Sequence, residues 1–209
     1  MSFRRLCLLH GIGIGMIAIS GYTAQVQGAE SVRDDAITVT IDQGRYTLRA
    51  QGQPKPFASG VLRHQGEVSV ESVNDEVFGA GQAISIRAAD GTGESFQVFQ
   101  GLPFVLHRSI LVNTGAAATA LNKVPLTDAV LDVGTPVEHL VALGTGGLKP
   151  LAQSEGSYAW MAVVDPSSRA GVVGGWLTHE RGSGVVFTKL AEGEPTLEAR
   201  LEYGCLRLE

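Results

Sequence analysis

Cysteine is almost missing from this chain, which carries only Cys7 and Cys205 in 209 residues. Cys7 lies in an amino-terminal apolar stretch that is expected to be removed. The remaining thiol then has no partner within the chain, so an intrachain disulfide is excluded and stability must come from a packed core. Lysine is also scarce, with Lys55, Lys123, Lys149 and Lys189 the only four, and they form no basic run. The formal charge is −5. An acidic chain without a cationic patch disfavours nucleic acid and anionic membranes as partners, because binding either depends on neutralising their charge. No apolar run reaches the roughly 20 residues of a permanent membrane span. No window of a dozen residues sustains a 3.6-residue apolar stripe; the best candidate, residues 137–143, allows at most two helical turns. The five histidines (His10, His64, His107, His139 and His179) stand singly, without the close pairs that build metal sites on one element, so neither a metal nor a cofactor is expected.

What is present begins with a short positive segment, Arg4-Arg5, followed by the Leu/Ile/Gly/Ala-rich residues 6–19. This is the layout of a secretory signal peptide over residues 1–28, with small residues for cleavage around Val26-Gln27-Gly28 and with Ala24 and Ala29 as alternatives. Cys7 lacks the small-residue box that precedes a lipidated cysteine. Export to the periplasm or the exterior, without a membrane anchor, is the resulting expectation. Removing Arg4 and Arg5 takes the formal charge from −5 to −7. About 180 residues then remain, enough for one sizeable core and too few for a small domain plus a full α/β barrel, which alone takes ~250 residues.

The mature region, 29–209, is punctuated by short runs rich in Val, Ile, Thr and aromatics and bounded by Gly, Pro, Asn or Asp, the signature of strands and turns. Ile37-Thr38-Val39-Thr40-Ile41 alternates with period two and turns through Asp42-Gln43-Gly44-Arg45 into Tyr46-Thr47-Leu48-Arg49, predicting a hairpin. A second hairpin is predicted from residues 84–87 and 95–99, joined by Asp90-Gly91-Thr92-Gly93. Residues 67–73, 109–112 and 126–133 are further strand candidates. Residues 158–164 are apolar on both faces, as in a central strand. Residues 171–178 are expected to pair with 185–187 through the turn that contains Gly182-Ser183-Gly184. In the last run the apolar residues change phase at Gly204, which predicts a β-bulge. The fold class expected is all-β, a large antiparallel β-sandwich with at most minor helix outside the signal peptide. The sequence stops at Glu209 inside an alternating run, so a truncated sandwich is expected.

Chemistry-bearing constellations are few. Gly144-Thr145-Gly146-Gly147-Leu148-Lys149-Pro150 fails the phosphate-loop spacing, since Lys149 is followed by Pro150 rather than by the Ser or Thr that opens a helix. Gly79-Ala80-Gly81 sits among strands and reads as a turn or bulge. No Gly-x-Ser-x-Gly elbow is present. Asp165, Glu155 and Glu180 occupy loop positions, but their spacing defines no facing pair of the kind glycoside hydrolysis needs. Of the two tryptophans, Trp160 in the most apolar run is expected in the core. Trp176, after two glycines and before Thr178-His179-Glu180-Arg181, is the candidate for contact with a substrate or another domain, together with His179, Glu180 and Arg181. No catalytic residue is assigned.

Three stretches carry a family likeness: Glu155-Gly156-Ser157-Tyr158-Ala159-Trp160, then residues 174–187 from Gly174-Gly175-Trp176 to Val185-Val186-Phe187, then Leu201-Glu202-Tyr203-Gly204-Cys205-Leu206-Arg207-Leu208. From about residue 96 onward the chain resembles the amino-terminal region of bacterial α-galactosidase-like (melibiase-type) glycoside hydrolases. The resemblance implies a supersandwich of the galactose-mutarotase-like kind that precedes a catalytic α/β barrel. In that family the nucleophile lies in a Lys-x-Asp motif, and none of the four lysines here has Asp two positions later. The implied function is that of an accessory sandwich of a secreted carbohydrate-active hydrolase, reaching its α-galactoside or related sugar through a barrel outside this chain. The alternative is a non-catalytic exported module that binds glycans or proteins; self-association stays open under either.

Overall fold

A computed structural model describes residues 28–179 and 182–208 of the chain. The expected signal peptide lies outside the described residues, apart from its last position. The described residues form sixteen strands: β1 (Glu30–Arg33), β2 (Ile37–Asp42), β3 (Arg45–Ala50), β4 (Ala58–Val61), β5 (Glu67–Asp75), β6 (Gly79–Arg87), β7 (Gly93–Phe99), β8 (Val105–Ile110), β9 (Thr119–Leu131), β10 (Val141–Gly144), β11 (Gly147–Pro150), β12 (Ser157–Tyr158), β13 (Trp160–Val164), β14 (Gly171–Gly175), β15 (Ser183–Ala191) and β16 (Glu194–Leu208). Helix is confined, among the described residues, to single 3-10 turns at Val137–His139 and Leu151–Gln153.

The hairpins follow from turn chemistry. Gln43 and Gly44 both take positive φ (48° and 75°), which gives the two-residue turn whose twist matches that of β2 and β3. Glu192 and Gly193 do the same between β15 and β16, with φ of 53° and 86°. Ile37, Val39 and Ile41 then face the core while Thr38 and Thr40 stay half-buried, as period-two alternation dictates.

The strands form three antiparallel sheets. A wide eight-stranded sheet has the order β1-β2-β3-β4-β9-β16-β15-β12, and two four-stranded sheets have the orders β5-β6-β7-β8 and β11-β10-β13-β14. The first small sheet packs over the β1–β2 end of the wide one, and the second over the β15–β16 end. The result is two sandwiches sharing one sheet. One hydrophobic cluster runs through both, from Val32, Val39 and Tyr46 to Val163, Val186 and Leu197. The all-β sandwich expected from the sequence is the fold observed.

Several local expectations change. Residues 158–164 are not one strand, because Ala159 takes a positive φ of 65° and divides them into β12 of the wide sheet and β13 of the second small sheet. Ala159 donates its N–H to the Gly184 carbonyl (2.9 Å) and accepts from the Trp176 N–H (2.7 Å), so it ties the two layers together. The pairing expected between residues 171–178 and 185–187 does not form. β14 pairs with β13 instead, and the chain crosses to the other layer before β15. At Gly204 the expected bulge is present: its φ is 68°, and the β16–β9 register slips between Glu202 and Leu206.

Candidate functional site

The turn singled out in the sequence begins with Trp176, whose indole lies on Gly184. A Cβ built on that glycine would collide with the indole Cγ. Its Nε1–H donates to the Val185 carbonyl at 3.3 Å, and the side chain packs against the hydrophobic cluster. His179 is exposed and accepts the Gly184 N–H at Nδ1, at 3.4 Å. Glu180 and Arg181 lie outside the described residues. The structure thus gathers Trp176 and His179 around Gly184, where both brace the crossover between layers.

Trp160, expected in the core, is 39% exposed. The reason is the sheet it occupies. In the small sheet β11-β10-β13-β14, Met161 and Val163 point inward and are buried, whereas Trp160, Ala162 and Val164 share the outer face, where Ala162 is itself covered by its neighbours and only 5% exposed. Registers place Leu148, Leu143, Ala162 and Val173 in one row across all four strands, with Pro150, Val141, Val164 and Gly171 in the next row and Trp160 beside Gly175. Every residue of that face is apolar. Leu148 is 61% and Val173 69% exposed, with Leu143 also exposed. A sheet face without one polar side chain is unusual against water, and contiguous apolar surface on a soluble protein marks a contact site. Sequence reading missed it because an apolar run does not reveal whether one or both of its faces are covered.

Glu94, also missed, is a buried carboxylate at 2% exposure. Its Oε1 accepts the backbone N–H groups of Arg63 (2.7 Å) and His64 (3.0 Å), and its Oε2 lies 3.1 Å from His107 Nε2. The His107 ring stacks on Phe96 at 4.1 Å between centroids, and Phe96 in turn contacts Tyr46. Burial pushes the Glu94 carboxyl up, but the bonds from His107, His64 and Arg63 outweigh it and hold the group below the ordinary carboxylate range. Tyr46 is shifted the other way: burial raises its phenol, whose hydroxyl lies 2.7 Å from Thr127 Oγ1. With all its contacts inside the protein, Glu94 fastens the segment after β4 to β7 and β8 rather than facing a substrate.

The loop acids are occupied separately. Asp165 binds its own turn: the Ser168 hydroxyl (2.7 Å) and the Ser167 N–H (2.9 Å) donate to it and lower its carboxyl. Glu155 faces solvent, 3.4 Å from Lys149 Nζ. Among the described residues, no group of three or more His, Cys, Asp or Glu side chains is placed to hold a metal ion. An open groove of about 430 Å³ runs past Ile41, Leu62 and Ile86, where Asp42 and Gln65 are exposed and His64 is half-buried. No protein-family model matches the chain, and no curated protein matches it.

Proposed function

We propose that this chain is the accessory β-sandwich of an exported, carbohydrate-active hydrolase acting on α-galactosides or related sugars, and that it packs against a catalytic α/β barrel lying outside these 209 residues. The observation that carries this reading is the uncharged outer face of the β11-β10-β13-β14 sheet, with Leu143, Leu148 and Val173 exposed on it. A sugar platform surrounds its aromatic ring with hydrogen-bonding groups that take the hydroxyls, whereas this face offers none, as a protein–protein contact does at its centre. The likeness of residues 155–160, 174–187 and 201–208 to melibiase-type enzymes supplies the substrate class. Both carboxylates of the reaction would then come from the barrel.

A chromogenic α-galactoside tests the reading. The 209-residue chain should give no turnover, and the gene product that includes sequence following Glu209 should be active. In that longer product, Leu148→Lys should lower activity by about tenfold or more by placing an unpaired charge in the contact. Turnover by the 209-residue chain alone would place the chemistry elsewhere. A second reading, an exported module binding glycans or proteins, is favoured by Trp160, whose indole stands exposed beside side-chain-free Gly175. Saturable quenching of tryptophan fluorescence by oligosaccharide, abolished in Trp160→Ala, would select it.

A further inference from the structure

Six strands stand at sheet edges: β1 and β12, β5 and β8, β11 and β14. Natural edges are blunted against pairing with other chains by charge, proline or shortness. β1 carries Glu30 and Arg33, β5 carries Glu67, Glu71 and Asp75, and β8 carries Arg108. β11 carries Lys149 and Pro150, and β12 is two residues long. β14, Gly171-Val172-Val173-Gly174-Gly175, has none of these protections.

Its backbone is also oriented for pairing. The Asp165 N–H donates to the Ala170 carbonyl (2.9 Å) and the Trp176 N–H to the Ala159 carbonyl (2.7 Å). In an antiparallel ladder the hydrogen-bonded pairs recur at every second residue, so Val172 and Gly174 turn their main-chain groups toward β13. Gly171, Val173 and Gly175 therefore turn theirs away from the sheet, and these three are the exposed residues of the strand. The outward set reads Gly-Val-Gly in both directions.

We propose that β14 pairs antiparallel with β14 of a second copy of this chain, across a two-fold axis at Val173, and so joins two four-stranded sheets into one of eight. Gly171 of each copy faces Gly175 of the other, and Val173 exchanges both main-chain hydrogen bonds with its counterpart. Continuing the register puts Arg169 opposite Leu177, so no like charges meet. The same operation on β5 would set Glu71 against Glu71. The apolar row Leu148, Leu143, Ala162, Val173 continues unbroken into the second copy. A five-residue edge makes a small interface, below the ~1,200 Å² of standard ones, so the dimer forms in a concentration-dependent way. It uses the sheet edge and leaves the sheet face of the proposed barrel contact free.

The test is the mass of the full chain by sedimentation and light scattering, from about 1 µM to about 1 mM. Wild type should move from monomer to dimer over this range, and Val173→Pro should stay monomeric. That substitution removes only an outward N–H and keeps an apolar side chain on the face. Leu148→Lys, which disables the face, should dimerise like wild type, so failure of one contact is distinguishable from failure of the other. If Val173→Pro does not fold by circular dichroism, hydrogen exchange on wild type decides: the Val173 amide should slow about tenfold or more on concentration, and that of Val172 should not change. A wild-type chain monomeric throughout, dimerisation of folded Val173→Pro, or a Val173 amide indifferent to concentration would each overturn the proposal.

Discussion

Glu94 is a carboxylate that burial alone would neutralise, kept ionised by two backbone N–H groups and His107. Because its folded pKa lies below the unfolded value of about 4.3, its contribution to stability is fully present above that pH and is lost as pH falls through the folded pKa. Urea midpoints measured from pH 7 downward should fall more steeply below about pH 4.5 for wild type than for Glu94→Gln. The amide can still accept from Arg63 and His64, so that variant should cost only about 1–2 kcal/mol at pH 7. Glu94→Ala strands those donors and His107 and should cost about 3–5 kcal/mol. None of this was legible in the sequence, where Glu94 follows the turn residues Asp90-Gly91-Thr92-Gly93 and reads as one more surface acid. Its partners are contributed by the segment after β4 and by β8, and neither chain spacing nor periodicity announces that convergence. The tryptophans show the same limit: Trp160 lies in the apolar run yet is exposed, and Trp176 sits in a glycine-rich turn yet packs on the core.

Elements built by local chemistry were legible. The β2–β3 hairpin follows from Gln43-Gly44 with its positive φ angles, and the slip in β16 from the phase change at Gly204. Gln43→Asn, which places a residue tolerant of the left-handed region at the first turn position, should raise stability by about 0.5 kcal/mol in thermal denaturation. What adjacency in sequence could not supply was the choice of layer. β14 and β15 are neighbours in the chain but belong to different sheets, because the left-handed Ala159 and the indole of Trp176 on Gly184 fix the crossing. A methyl group at residue 184 has no room beneath that indole. Gly184→Ala should therefore destabilise by about 1–3 kcal/mol and shift tryptophan emission to longer wavelength as Trp176 is displaced. An unchanged spectrum at unchanged stability would show that the glycine is not needed there.

The two sandwiches share the wide sheet and a single hydrophobic cluster, so neither half closes a core without β9 and β16. Calorimetry should accordingly show one transition whose van't Hoff and calorimetric enthalpies agree, while two resolved transitions would mean the halves fold separately. That the chain is all-β followed from period-two alternation and frequent turn residues; that its strands divide into three sheets did not, because layer assignment rests on contacts distant in sequence. β4 illustrates what such distance entails. Its partner on one side is the hairpin neighbour β3, but on the other it meets residues 129–131 of β9, which come only after an entire four-stranded sheet has intervened. A nascent chain therefore carries Ala58–Val61 as an open seam until its second half arrives. Over that interval intermolecular zippering competes with maturation, and slow, concentration-limited refolding yield is the cost built into placing β9 at the middle of the sheet.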